Sequence, residues 1–334
     1  MRSRRHLVLL VLFLLAVAVP ALQNVYYTRL ATEIAILGLA ALSVDLLLGY
    51  TGLVSFGHAA FFGIGAYVTG MLTIAGFSAA FVVWPLAMLA GMAAAAAIGA
   101  LALRTIGFSF IMVTLAFAQM VFYFFQSLRS YGGENGFALP HRNTFGGIVD
   151  IRDHTSFYYV VLTILVIVIA LTSRLVKSQF GAVIRGARDN ERRLAAMGFP
   201  PYRYKLVAFI FSGGIAALAG ALIANHTSQI STELLSWQQS GDLLAMVILG
   251  SAGTIIGSVF GAAIFIAFQQ FLSSITEHWM LWFGPLLVAR VLFMHDGLWG
   301  VVMRLLKSEE AEPDLPVDLI DESARAASET QGGR

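Results

Sequence analysis

The sequence contains no cysteine, and only 12% of its 334 residues are charged. The missing cysteine excludes disulfides, thiol nucleophiles and cysteine-based metal sites. Soluble domains carry about 25% charged residues, so the charged fraction of this sequence is too low for a water-soluble protein. With 58% hydrophobic residues and a mean hydropathy of +0.79, the composition predicts an integral membrane protein.

The scarce charge is unevenly distributed. Residues 308–334 hold eight of the 19 acidic residues, together with Pro313 and Pro316 and no aromatic residue. Such a composition is typical of a disordered, solvated segment. We therefore predict a transmembrane domain over residues 1–307 and a disordered, acidic cytoplasmic tail over residues 308–334.

Long apolar runs fill the rest of the chain. A helix needs about 20 apolar residues to cross the bilayer. The runs that meet this length lie at 7–26, 30–48, 55–75, 80–103, 107–128, 156–173, 205–225, 253–275 and 280–303. A tenth stretch, 239–251, is short enough to be a tilted span, a half-helix or a re-entrant piece. The predicted fold is all-α: a polytopic bundle of nine or ten spans.

Basic residues predict the orientation of these spans, because Lys and Arg in short loops mark the cytoplasmic side. They precede the first span, follow the last, and dominate residues 174–205, where eight basic residues face two acidic ones. Ten crossings place both termini and this loop in the cytoplasm and residues 129–155 outside. The apolar run ending at Ala16-Val17-Ala18 also fits a cleavable signal peptide, which would leave the mature N-terminus outside.

Two segments, 49–67 and 250–263, are rich in glycine. In the second, Gly253, Gly257 and Gly261 repeat every four residues. Small residues at that spacing line one helix face and let two helix backbones approach closely. We predict that these three glycines pack against a neighbouring helix.

The first glycine-rich segment also carries polar residues. Ser55 and His58 are three residues apart, as on one helix face, and polar groups at membrane depth usually face a cavity or the bundle interior. An unpaired Asp45 would cost roughly 2.5–3.5 kcal/mol at the bilayer centre, and a pair with Arg290 would relieve both charges. His58 could line a pathway or only hydrogen-bond a neighbouring helix. The candidate pathway residues are Asp45, Ser55, Gly57, His58, Phe61 and Gly63.

The basic loop 174–205 contains signals for a short helix. Asp189 is a candidate N-cap for a helix from Asn190 to Met197, and Gly198 is a candidate C-terminal stop. Leu194 and Met197 would then share one face. This pattern predicts an exposed docking helix, although a basic loop that only attracts anionic lipid fits the composition too.

Three strings in this sequence resemble the LivM-type permease subunit of bacterial branched-chain amino-acid ABC importers. They are GYTGLVSFGHAAFFGIGAY (49–67), GAVIRGARDNERRLAAMGFPPYRYKLVAFIFSGGIAALAGAL (181–222) and MVILGSAGTIIGSVFGAAIF (246–265). The resemblance covers about residues 30–303. Asp45 departs from the family pattern, in which Asn is commoner at this place.

The resemblance implies partners: a second similar permease subunit, two cytoplasmic ATP-binding subunits and a periplasmic substrate-binding protein, all around a chain embedded in lipid. It also maps the ATPase-contacting loop onto residues 181–198. The candidate coupling residues are Arg185, Asp189, Asn190, Glu191, Arg192, Arg193, Leu194, Ala196, Met197 and Gly198.

The implied function is import of Leu, Ile or Val across the bacterial inner membrane by alternating access. The chain has no G-x-x-x-x-G-K-[ST] motif, so ATP would be bound by partner subunits. We predict that this chain is not an enzyme and that it binds no cofactor, metal or nucleic acid. Permeases for urea or short amides share the layout and are the main alternative. An ion-driven secondary transporter is a further alternative, for which Asp45 and His58 are the available ionisable groups.

Overall fold

The computed structural model describes residues 14–146 and 153–276, and beyond these residues 278, 281, 282, 284, 285, 287 and 288. The elements of this part are almost entirely helical, which confirms the predicted all-α fold class. The helices are α1 Val25–Thr51, α2 His58–Ile74, α3 Ala80–Ala102, α4 Phe108–Ser127, α5 His154–Lys177, α6 Gln179–Asp189, α7 Glu191–Ala196, α8 Pro201–Thr227, α9 Trp237–Gly250 and α10 Ile255–Ser273. Two short strands, β1 Phe137–Ala138 and β2 Gln229–Ile230, pair antiparallel.

Six helices in the described part of the chain are long and apolar enough to cross a membrane: α1, α3, α4, α5, α8 and α10. Helix α2 is apolar but has 17 residues. Helix α9 has 14 residues, which at ~1.5 Å per residue covers about 21 Å of the ~30 Å hydrocarbon layer. The predicted first span, 7–26, lies partly outside the described residues, and the last, 280–303, lies largely outside them.

The observed helix ends differ from the ends of the predicted spans, because capping residues determine where a helix begins and ends. Helix α1 starts at Val25 because the Asn24 side chain accepts a hydrogen bond from Tyr26 N at 2.9 Å, and it ends at Thr51, just before Gly52, whose φ is +72°. The prediction that residues 174–205 form a loop with one short helix is wrong. Helix α5 continues to Lys177, and α6 and α7 fill most of the remainder.

Helix α8 lies at the centre of the bundle, packed against α1, α2 and α3. Glycines let the backbones meet. A Cβ at Gly65 of α2 would overlap the carbonyl of Ala217, and a Cβ at Gly220 of α8 would overlap the carbonyl of Phe62. Within the membrane no hydrophobic effect drives helices together, so close van der Waals contact of this kind contributes much of their attraction.

The two ends of the bundle are built differently. At one end, β1 and β2 pair with Phe137 opposite Ile230, and the backbone of Ala79 bridges Thr144. Helices α6 and α7 lie at the other end, since α5 runs between the two groups. The predicted outer loop and the predicted cytoplasmic loop therefore lie at opposite ends.

Candidate functional site

Helix α6 joins the membrane bundle to the exposed helix α7. Its residues Gly181, Ile184 and Ala187 are buried at a spacing of three, so one face packs on the bundle. The contacts are with α1 and α8. This amphipathic spacing, with Arg185 exposed between the buried positions, is the signal that could have revealed α6 from the sequence.

The cap of α7 differs from the prediction. Asp189 is the last residue of α6, and Asn190 is the N-cap instead. Asn190 has extended backbone angles, which an N-cap requires, and its Oδ1 accepts a hydrogen bond from Arg193 N at 2.9 Å. Gly198, with φ +87°, follows the end of the helix. A helix break at Asn190 therefore separates α6 from α7.

Helix α7 exposes nearly all of its side chains. Leu194 is 4% exposed, with its Cδ1 3.5 Å from where a Gly186 Cβ would lie, whereas Met197 is 61% exposed. The prediction that Leu194 and Met197 share a face is therefore wrong, because the helix ends at Ala196 and Met197 follows it. The exposed members of the candidate coupling set in α7 are Glu191, Arg192, Arg193 and Ala196.

A salt bridge ties α7 to the start of α8. Lys205 Nζ lies 2.7 Å from Glu191 Oε2. Together with the buried Leu194, this contact holds α7 at its N-terminal end while its outward surface stays open. The exposed residues here are basic and apolar: Arg192, Arg193, Met197 and Phe199, the last 41% exposed. Such a surface fits an external protein that offers acidic and apolar groups.

A junction of glycines lies where α6 meets the membrane bundle. Arg188 of α6, absent from the predicted coupling residues, donates from Nη1 to the carbonyl of Gly49. A Cβ at Gly49 would overlap the backbone nitrogen of Gly253, so these two glycines are in backbone contact. Asp45 Oδ1 accepts the N–H of Gly253 at 2.6 Å. Asp45 thus has a backbone partner, while Arg290 lies outside the described residues.

The glycine repeat is only partly a helix face. Gly253 lies in the turn before α10 with φ +83°, so its predicted place on that face is wrong. Gly257 and Gly261 do lie in α10. A Cβ at Gly261 would overlap the carbonyl of Met246, and one at Gly257 would lie 3.0 Å from the carbonyl of Gly250, which brings α10 against α9.

His58 begins α2 and links three helices. It is 1% exposed, and its Nε2 lies 2.8 Å from Ser212 Oγ of α8. Ser212 Oγ in turn donates to the carbonyl of Ser43 in α1 at 2.6 Å. Because that donation uses the hydroxyl proton, Nε2 of His58 is the donor to Ser212. This geometry corresponds to a hydrogen bond with neighbouring helices, one of the two interpretations open from the sequence.

The chain between α1 and α2, residues 52–57, is not helical. Its polar groups bond to other helices: Ser240 Oγ of α9 donates to the carbonyl of Phe56 at 2.8 Å, and Phe56 N donates to Thr114 Oγ1 of α4 at 3.3 Å. Ser240 also accepts the N–H of Ala59 at 3.0 Å. Irregular backbone at membrane depth is tolerated when protein groups satisfy it in this way.

The other candidate pathway residues are packed by neighbouring elements. Ser55 is 1% exposed and accepts the N–H of Gly57 at 3.1 Å. Phe61 is fully buried and meets Phe209 edge to face, and a Cβ at Gly63 would overlap the side chain of Leu235. A cavity of about 690 Å³ lies elsewhere, between α3 and α5, and its lining is mostly apolar. None of the six candidates lines that cavity.

The described helices define a multi-pass membrane protein of the helical-bundle class. Residues 26–303 match the family described as "Branched-chain amino acid transport system / permease component". The chain belongs to this family, and the resemblance drawn from the three strings is confirmed.

Individual relatives are permeases as well. The chain is 27% identical to the high-affinity branched-chain amino acid transport system permease protein LivM of Salmonella typhimurium, over 92% of this chain and 78% of that protein. It is 28% identical to LivM of Escherichia coli K12, over 91% of this chain and 77% of that protein. A shorter match, 29% identity over 29% of this chain and 30% of that protein, is to the autoinducer 2 import system permease protein LsrC of Salmonella paratyphi B. No solved structure matches the chain.

Proposed function

We propose that this chain is a permease subunit of an ABC importer that moves branched-chain amino acids across the bacterial inner membrane. A second similar permease, two cytoplasmic ATP-binding subunits and a periplasmic binding protein would complete the transporter. Family membership and the two LivM relatives support the substrate class. The observation that carries the coupling role is α7, a short helix that is capped, anchored and exposed at one end of the bundle.

The proposed mechanism is alternating access driven from α7. ATP binding closes the two ATP-binding subunits, their movement displaces α7, and the bundle changes between outward-open and inward-open arrangements. Coupling of this kind needs a structural element whose position both sites bias. Helix α7 meets that need because its surface is available to a partner while Leu194 and the Glu191–Lys205 salt bridge connect it to the bundle.

The orientation proposed with this mechanism places α6, α7 and both termini in the cytoplasm. The basic residues of 174–205 support it through the positive-inside rule. The chain has no native cysteine, so a single Met197→Cys variant can be labelled without background. Labelling by a membrane-impermeant maleimide only in inside-out vesicles is the expected result, and labelling in intact spheroplasts would place α7 on the wrong side.

The docking role is tested by reversing charge without breaking the anchor of α7. Glu191 must stay, because it holds Lys205. The double variant Arg192→Glu and Arg193→Glu should insert normally and lose leucine uptake in a strain that lacks the native permease. Lys177→Glu is the matched control, since Lys177 is exposed at the same end of the bundle but outside α7. Normal uptake by the double variant contradicts the docking role.

The substrate is tested in the same strain by comparing uptake of labelled leucine, urea and a short amide. Leucine uptake that requires the ATP-binding subunits is the expected result. Urea or amide uptake without leucine uptake would favour the alternative permease. Leucine uptake that persists without the ATP-binding subunits would instead favour an ion-driven transporter.

A further inference from the structure

Among the described residues of α6, Arg188 is the one whose side chain hydrogen-bonds the backbone of a membrane helix. Its acceptor is the carbonyl of Gly49, one of the last four residues before the end of α1 at Thr51. Carbonyls in the last turn of a helix lack an intrahelical partner, and a cation beside them also interacts favourably with the helix dipole. The guanidinium of Arg188 thus donates to a carbonyl that has no hydrogen-bond partner within α1.

The stem of Arg188 also lies against α1, while the residue as a whole stays exposed. Arg188 Cγ lies 2.9 Å from where a Cβ of Gly52 would be, so the stem packs against the turn that ends α1. Gly52 has φ +72° and lacks a side chain, and both properties make this approach feasible. Arg188 therefore contacts both Gly49 and Gly52, so α6 is joined to the end of α1 at two points.

The same end of α1 holds the turn between α9 and α10. Gly49 is in backbone contact with Gly253, and Asp45, one helical turn earlier, accepts the N–H of Gly253 at 2.6 Å. Gly253 lies at φ +83°, just before α10 begins at Ile255. The end of α1 is therefore in direct contact with the turn from which α10 starts.

We propose that Arg188 is the positioning residue that transmits movement of α7 to the α9–α10 turn. The inference rests on the proposed function, in which a partner displaces α7. Helices α6 and α7 are separated by Asn190 alone, and Leu194 of α7 packs beside Gly186 of α6, so a displacement of α7 reaches α6 directly. The path then runs from α6 through Arg188 to Gly49, and from Gly49 and Asp45 to Gly253.

The test compares Arg188→Ala with Arg188→Lys in the complete transporter, reconstituted in vesicles with its binding protein and ATP-binding subunits. Arg188→Ala should hydrolyse ATP within about twofold of the unaltered complex, while leucine uptake falls at least about tenfold. Arg188→Lys should recover part of the uptake, because one ammonium donor can still reach Gly49. Lys177→Ala, on an exposed residue at the same end, should leave both rates unchanged.

A second measurement separates this proposal from the identity of the substrate. A spin label on Ala252→Cys, an exposed position beside Gly253 in a chain without native cysteine, reports on the α9–α10 turn. Addition of MgATP should change its spectrum in the unaltered complex and leave it unchanged with Arg188→Ala. If leucine is not transported at all, the proposed substrate is wrong, and this spectrum still decides the role of Arg188.

Three results would overturn the proposal. The first is an equal fall of ATP hydrolysis and uptake in Arg188→Ala, which indicates a merely structural role. The second is unchanged uptake in that variant. The third is a nucleotide response at Ala252→Cys that is absent in the unaltered complex or persists in Arg188→Ala.

Discussion

Helices α8 and α7 are neighbours in the chain but are held in place by different means. Helix α8 is enclosed by α1, α2 and α3, with glycine backbones in contact on its faces. Helix α7 buries one side chain, Leu194, and depends on a cap and a salt bridge at its N-terminal end. The difference shows that small residues permit the close packing around α8, whereas a cap, a salt bridge and one buried side chain position α7 and leave its surface open to a partner.

The largest effect is expected where backbones touch. Gly220→Val places a branched side chain against the carbonyl of Phe62, and overpacking of this kind should destabilise the protein by about 3 kcal/mol or more. The protein level in membranes and the melting temperature in detergent measure it. Gly241→Ala is the matched control, because a Cβ at Gly241 meets nothing within 4 Å. Equal stability of the two variants would mean that the close backbone contact at Gly220 does not restrict the size of the side chain at that position of α8.

The next effect tests the buried bond between Asp45 and Gly253. Asp45→Ala removes the acceptor and leaves the N–H of Gly253 unsatisfied, at an expected cost of about 2 kcal/mol. Asp45→Asn retains an oxygen acceptor and should keep both stability and leucine uptake. Thermal stability in detergent and uptake in cells check the pair. If Asp45→Asn abolishes uptake while the protein stays stable, the carboxylate itself is needed, as an ion-driven transporter requires.

A smaller effect distinguishes the two candidate caps of α7. Asn190→Ala should cost about 1 kcal/mol, because the Arg193 N–H loses its acceptor. Asp189→Ala should leave the capping bond intact, since Asp189 ends α6. Protease cleavage near residue 197 measures fraying of α7 and should rise in Asn190→Ala alone. Equal fraying in Asp189→Ala would restore the cap predicted from the sequence.

The smallest effect concerns the salt bridge between Glu191 and Lys205. The Glu191 side chain is 46% exposed, and exposed pairs contribute about 0.2–1 kcal/mol. Glu191→Gln should therefore change the melting temperature little and should make fraying of α7 less dependent on salt. A large loss of stability in this variant would mean that α7 is anchored more like α8 than the contacts indicate.

The elements that sequence reasoning predicted well are those encoded locally. Hydropathy over about 20 residues identifies α1, α3, α4, α5, α8 and α10, although caps such as Asn24 move their ends by several residues. The stop at Gly198 was equally readable, because a glycine after a short helix favours φ > 0. Helix α6 was not predicted, because arginines lie between its buried positions and make the segment resemble a solvated loop.

The composition and order of residues alone determined that this chain is a polytopic helical membrane protein and that a short helix ends just before Gly198, because hydropathy and capping act over a few consecutive residues. The tertiary structure decided that His58 meets Ser212, that Asp45 meets Gly253 and that Arg188 meets Gly49. The partners in these contacts are 154, 208 and 139 residues apart. Only the packing of the bundle brings such distant groups together, and the demand that buried polar groups find partners selects them.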